Sequence, residues 1–322
     1  MVRHSIRTLL VGLCTVAAAS QAATAVALTV SDDQHKVTSN AAQALHPQTL
    51  SDLTTAMKDE AYAYALYNLF GTQADRDGDA AVGRVFPTTA QTALNEHLHE
   101  AAMLAGVVGT DAANLRQAID GETYEHQVMY RDFANQARQD GDTKAADLFT
   151  EIAADEGRHR DAFRTALDVA SSGRGTIPAP QKANPVAVLA GLPQVRAART
   201  KANLDTAMHG EALAYAKYML FAEKAKQSGN PALARLWEGT AAIELHEHFA
   251  GEAVLDGLVR NTKENLDKAV TEERSEATAL YPGFANQAKT VGDIAADRYF
   301  NNIAADKTER AAAFQQALNQ LR

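Results

Sequence analysis

Cysteine is almost absent from this 322-residue sequence: the single one, Cys14, lies in an apolar run near the N-terminus. One cysteine cannot form an internal disulfide, a zinc ribbon or a four-cysteine iron module. Basic residues are also short, 31 Lys and Arg against 40 Asp and Glu, which argues against the clustered positive surface that displaces counterions from nucleic acid. Aromatics make up 6% of the chain. Valine, isoleucine and threonine seldom alternate with polar residues, so an all-β fold is excluded and helix is favoured throughout. The length suits about two domains, and the acidity suits cations as partners.

Long hydrophobic runs are lacking as well. The apolar stretch from Leu9 to Ala19 is too short to span a bilayer, and no later stretch qualifies, so no stable membrane insertion is expected. Arg3, His4 and Arg7 precede that stretch and Ser20-Gln21-Ala22 follows it, the pattern of an export signal over residues 1–22. Leu13 before Cys14 argues against lipidation, which wants a small residue there. The expectation is an exported protein, periplasmic or secreted, whose mature chain has no cysteine.

What the sequence does have is an internal repeat at an offset of 151 residues. Leu53-Thr-Thr-Ala-Met corresponds to Leu204-Asp-Thr-Ala-Met, Tyr67-Asn-Leu-Phe to Tyr218-Met-Leu-Phe, and Phe133-Ala-Asn-Gln-Ala to Phe284-Ala-Asn-Gln-Ala, without a gap. The organisation expected is a signal (1–22), an extension (23–48), repeat one (49–169), a linker (170–199) holding Pro178, Pro180, Pro185 and Pro193, and repeat two (200–321). Asp77-Gly-Asp, Gly109-Thr-Asp and Asp140-Gly-Asp punctuate repeat one into four helical segments, and Gly229-Asn-Pro and Asn261-Thr do the same work in repeat two. Pro87 falls inside the second segment, where a kink is expected. Each repeat thus reads as the helices of a four-helix bundle.

Acids sit on the apolar stripes of these helices. Glu211 shares a face with Leu204, Ala207, Met208, Tyr215, Tyr218 and Phe221. Glu244 and Glu247 are three apart on the next helix, Glu122 with Glu125 and Glu273 with Glu276 on the third helices, and Glu156 with His159 on the fourth. One Glu-x-x-Glu is common on solvated faces; six carboxylates and an imidazole converging in a core need metal or paired charge. The joint pattern reproduces the ligand plan of di-iron and di-manganese carboxylate bundles.

The motif Asn203-Leu-Asp-Thr-Ala-Met-His-Gly-Glu211 and the segment from Glu273 through Tyr281-Pro282 resemble the rubrerythrin branch of the ferritin-like superfamily, here duplicated. The resemblance implies an all-α protein of two ferritin-like four-helix bundles and a centre of two iron ions, with manganese as the alternative. It implies a reaction with hydrogen peroxide or dioxygen. The family's usual Cys-ligated rubredoxin module is not in this sequence, so an external electron donor is implied; a homo-oligomer is compatible with it. Tyr218 and Tyr130, like Tyr67 and Tyr281, fall where the family has tyrosines beside the metals, although the same spacing fits aromatic core packing. Two rival readings are metal sequestration without turnover and a metal-free structural bundle.

Neither repeat carries the whole set. Repeat one has Ala93 where repeat two has Glu244; repeat two has Lys307 and Arg310 where repeat one has Glu156 and His159. Combining Glu211, Glu244 and Glu247 with Glu122, Glu125, Glu156 and His159 completes a seven-ligand site, and the other combination collects the losses beside Glu60, Glu96, Glu273 and Glu276. An exchange of helix pairs between repeats is therefore expected, within one chain or between chains. Loop length agrees: a crossover along a 20-residue helix covers ~30 Å, whereas about six residues reach ~20 Å. His248, four after Glu244, is the weaker candidate for the position given to Glu247, and His97, His99, His209 and His246 are weaker still.

Overall fold

The computed structural model describes residues 44–321. The expected signal, Cys14 and most of the expected extension lie outside the described residues. Among the described residues there are eight helices and no strand: α1 (Pro47–Asp77), α2 (80–105), α3 (111–140), α4 (Thr143–Ser172), α5 (Ala198–Gln227), α6 (231–256), α7 (262–291) and α8 (Ile294–Gln320). None is long and apolar enough to cross a membrane.

Local chemistry explains the boundaries. The Thr110 hydroxyl accepts from the Ala113 amide at the start of α3, and the Asn261 side chain accepts from the Glu264 amide at the equivalent start of α7. Asn230 caps α6 through the Leu233 amide, with Pro231 in the first turn where its missing N–H has no partner to lose. α2 continues through Pro87, whose ring lies against Gly71 of α1.

The second and third helices of each repeat are not uniform. Each contains one π-helical turn, at Ala93–Leu98, Glu125–Met129, Glu244–Phe249 and Glu276–Leu280. These turns recur at the repeat offset, so they belong to the repeated unit. Such single π turns accommodate one residue more than an α turn and are frequent at functional sites.

Packing joins helices from different repeats. Leu53, Tyr67, Phe70 and Phe86 of α1 and α2 share a core with Leu266, Tyr281, Phe300 and Phe314 of α7 and α8. Tyr218, Phe221 and Trp237 of α5 and α6 pack with Leu115 and Phe163 of α3 and α4, and Leu204, Ala207 and Leu255 pack with Tyr130 and Phe149. Each four-helix bundle thus draws two helices from each repeat. Residues 106–110 and 257–261 then step from one bundle to the other, which spares them the climb along a helix.

The bundles meet along α1 and α5. Tyr64 and Tyr215, at the same repeat position, stack with ring centroids 5.5 Å apart and hydroxyls at 3.3 Å. Like meets like there, as at a two-fold interface. The proline-rich linker lies extended along α6: the Val186 amide donates to His246 O, Gly191 to Val259 O, and Gln194 to Leu255 O. Gly257, at φ +65°, closes α6 so near the linker that a Cβ would stand 2.4 Å from the Pro193 nitrogen.

Candidate metal centre

The α3–α6 bundle gathers two overlapping groups of buried ligand atoms. Glu122, Glu156, His159 and Glu244 form one; Glu156, Glu211, Glu244 and His248 form the other, the atoms within each lying within 4.8 Å of one another. His159 Nδ1 is 3.0 Å from Glu156 and 3.1 Å from Glu244. His248 Nδ1 is 2.9 Å from Glu244, 3.1 Å from Glu156 and 3.5 Å from Glu211. Glu156 and Glu244 belong to both groups, so each would be available to two ions. Glu122 Oε2, Glu156 Oε1, both oxygens of Glu244 and His248 Nδ1 have no hydrogen-bond partner despite their burial. Buried donors and acceptors are ordinarily paired; oxygen and imidazole donors converging without partners fit two borderline or hard cations.

Of the seven ligands expected from sequence, Glu122, Glu156, Glu211, Glu244 and His159 are in these groups. Glu247 is not. It is partly exposed and accepts from the Asn184 amide of the linker, and His248 occupies the place expected of it. The π turn is the reason: with one residue extra in the turn beginning at Glu244, the fourth residue faces the centre and the third is turned aside. Glu125 also starts a π turn, is half-buried, and stands beside the ligand groups without joining them.

Both expected tyrosines touch the cluster. Tyr218 donates to Glu122 Oε1 and Tyr130 to Glu211 Oε1, fixing one oxygen of each carboxylate. Tyr130 also reaches Glu252 Oε1 at 3.1 Å. Glu252 was not singled out from sequence, though its position eight residues after Glu244 was a usable signal.

The electrostatics are those of a cluster holding protons where it is built to hold cations. Burial, then the Glu156 charge, pushes Glu122 and Glu211 well above the carboxylate range. Burial and Glu156 push Glu125 up to about 8. Against their own burial, His248 and His159 hold Glu156 low, and His159 does so for Glu244. Both imidazoles are raised well above their usual value, against burial, by the carboxylates around them.

The α1, α2, α7, α8 bundle answers the same problem with fixed charge. Lys307 Nζ lies 3.0 Å from Glu60 and 2.5 Å from Glu276, and Arg310 Nη1 is 3.4 Å from Glu60. Tyr67 donates to Glu273 at 2.7 Å and Tyr281 to Glu60 at 3.1 Å. Glu96 is exposed and His97 is buried in its stead, 3.2 Å from Glu60, again because a π turn shifts the facing residue by one.

Comparisons with known proteins agree with this geometry. The rubrerythrin family model matches residues 52–167. Rubrerythrin of Nitratidesulfovibrio vulgaris is 33% identical over 131 residues, 36% of this chain and 67% of that protein. Rubrerythrin of Porphyromonas gingivalis is 31% identical over 133 residues, 37% of this chain and 66% of that protein; nigerythrin of N. vulgaris is 30% identical over the same length and shares. The matched segment thus spans about two thirds of these relatives. No solved structure matches the chain significantly. With a two-group carboxylate and histidine cluster inside a four-helix bundle and this level of identity, the chain belongs to the rubrerythrin family.

Proposed function

We propose that this protein is an exported oxidoreductase whose α3–α6 bundle holds one pair of iron ions that reacts with hydrogen peroxide or dioxygen. The observation that carries the reading is the set of buried, unpartnered carboxylate and imidazole atoms shared between two four-residue groups. Glu122, Glu156, Glu244 and His159 would hold one ion, and Glu156, Glu211, Glu244 and His248 the other. Bound there, iron supplies the change of valence that reduces the oxygen substrate.

The chain's own residues prepare that chemistry. Tyr218 and Tyr130 each pin one oxygen of Glu122 and Glu211, so that the other oxygen of each would be available to an ion. Glu125, adjacent and half-buried, would be a further carboxylate within reach of a bound ion. His248 brings its Nε2 within 3.6 Å of Asp155, the kind of outer carboxylate that orients a ligating imidazole. In the other bundle Lys307 and Arg310 replace metal, so one dinuclear site per chain is expected. Electrons come from a separate donor, since this sequence cannot build a four-cysteine iron module. Export rests on the basic, apolar and small-residue pattern of residues 1–22; N-terminal sequencing of protein recovered from the periplasm or medium tests it, and an intact Met1 refutes it.

That same single cysteine favours a second reading, iron or manganese sequestration without turnover. Anaerobic loading with Fe(II), titration with peroxide and repeated cycling with a chemical reductant separate the two. Many turnovers support the oxidoreductase, one oxidation per load supports sequestration, and a protein that takes up no metal refutes both.

A further inference from the structure

Resting on the metal reading above, we infer that Glu252 is a neutral carboxyl that donates to the Tyr130 hydroxyl and thereby fixes that hydroxyl on Glu211. It is a positioning residue that also keeps one proton two hydrogen bonds from a metal ligand.

Three oxygens are joined through the tyrosine: Glu252 Oε1, Tyr130 Oη and Glu211 Oε1. A tyrosine hydroxyl has one hydrogen and can accept through its lone pairs. If both carboxyls were ionised, one hydrogen would serve two anions in a buried site, and the second contact would be a repulsion. With Glu211 ionised, as a metal ligand is, a proton on Glu252 satisfies both contacts in one direction, from Glu252 to Tyr130 and from Tyr130 to Glu211. Glu252 is 0% exposed, its Oε2 has no partner, and no ion pair engages it among the described residues. An ionised carboxylate in that setting is strongly disfavoured.

An independent observation is where Glu252 occurs. At the same repeat position the other bundle has Ala101, also 0% exposed. There Tyr281, the counterpart of Tyr130, donates to Glu60 alone, at 3.1 Å. The third carboxyl therefore appears only where Glu244, Glu156 and His159 appear, and is missing where Ala93, Lys307 and Arg310 stand. A residue needed only for packing would have no reason to follow the ligands.

The test uses the full chain loaded with Mn(II), compared as wild type, Glu252→Gln and Glu252→Ala. Infrared spectroscopy of the loaded wild type should show the carbonyl stretch of a neutral carboxylic acid, and Glu252→Gln should remove it. The glutamine amide can still donate to Tyr130, so Mn(II) affinity should stay within about threefold of wild type. Glu252→Ala should bind about 10- to 100-fold more weakly while melting cooperatively. Loss of the band on loading, its survival in Glu252→Gln, or wild-type affinity in Glu252→Ala overturns the assignment while leaving the metal reading intact. Failure of wild type to bind Mn(II) or Fe(II) at all overturns the metal reading first, and this inference with it.

Discussion

At the bundle centres three pairs of residues choose between metal and ion pair: Glu244 against Ala93, Glu156 against Lys307, and His159 against Arg310. Glu244 and Glu156 serve both ligand groups, so Glu244→Ala or Glu156→Ala should abolish stoichiometric metal uptake in a mass-spectrometric metal count. Glu60→Gln, in the other bundle, should leave that count unchanged; equal loss in all three would place the metal elsewhere. His248→Ala should weaken binding by at least about 10-fold and Glu247→Gln by less than about twofold, because Glu247 faces the linker. Acid sensitivity belongs to Glu60, whose carboxyl is held well below the usual range: against its burial, Lys307 outweighs, followed by His97 and Arg310. A depressed carboxyl stabilises the fold above its unfolded value of about 4 and loses that stability as pH falls through its lower folded value. Urea midpoints measured from pH 5 down to pH 2 should therefore fall more steeply in wild type than in a Glu60→Gln/Lys307→Met double variant. Lys307→Met alone should cost about 3–5 kcal/mol, since it leaves buried carboxylates without their cation.

Among the helices, the π turns account for the main difference between the residues expected to line the site and those that do. Heptad and α-helical spacing place Glu247 with Glu244, and in an unbroken α-helix that reading would stand. One extra residue per turn moves the facing position to His248 in α6 and to His97 in α2. No composition or periodicity in a single copy marks such a turn, although the recurrence of the pattern at the repeat offset marks it as built in. The linker is likewise an element with a structural role, held by backbone bonds along α6. Gly257→Ala places a Cβ against the Pro193 nitrogen at positive φ, and should lower stability by about 1–3 kcal/mol in chemical denaturation; a cost below about 0.3 kcal/mol would show that the linker is not seated there.

For the whole molecule, the duplication separates two answers to one problem, buried acids gathered into ligand groups that fit cations in one bundle and neutralised by Lys307 and Arg310 in the other. An Ala93→Glu/Lys307→Glu/Arg310→His variant, which rebuilds the second ligand set beside Glu60, Glu273 and His97, should raise metal content from two to four ions per chain; a count that stays at two would show that the second bundle lacks more than ligands. The helical class, the repeat and the carboxylate columns followed from the sequence alone, because helical periodicity and the repeat offset are local regularities that survive in one dimension. So did the segregation of losses at Ala93, Lys307 and Arg310. The tertiary structure alone decided which side chains face inward through the π turns, that Glu252 joins Tyr130, and that α1 and α2 share a core with α7 and α8 in this chain. Those choices depend on how far each helix is rotated about its axis and on which surfaces meet. Both are set by packing between residues far apart in the chain, which no local pattern encodes.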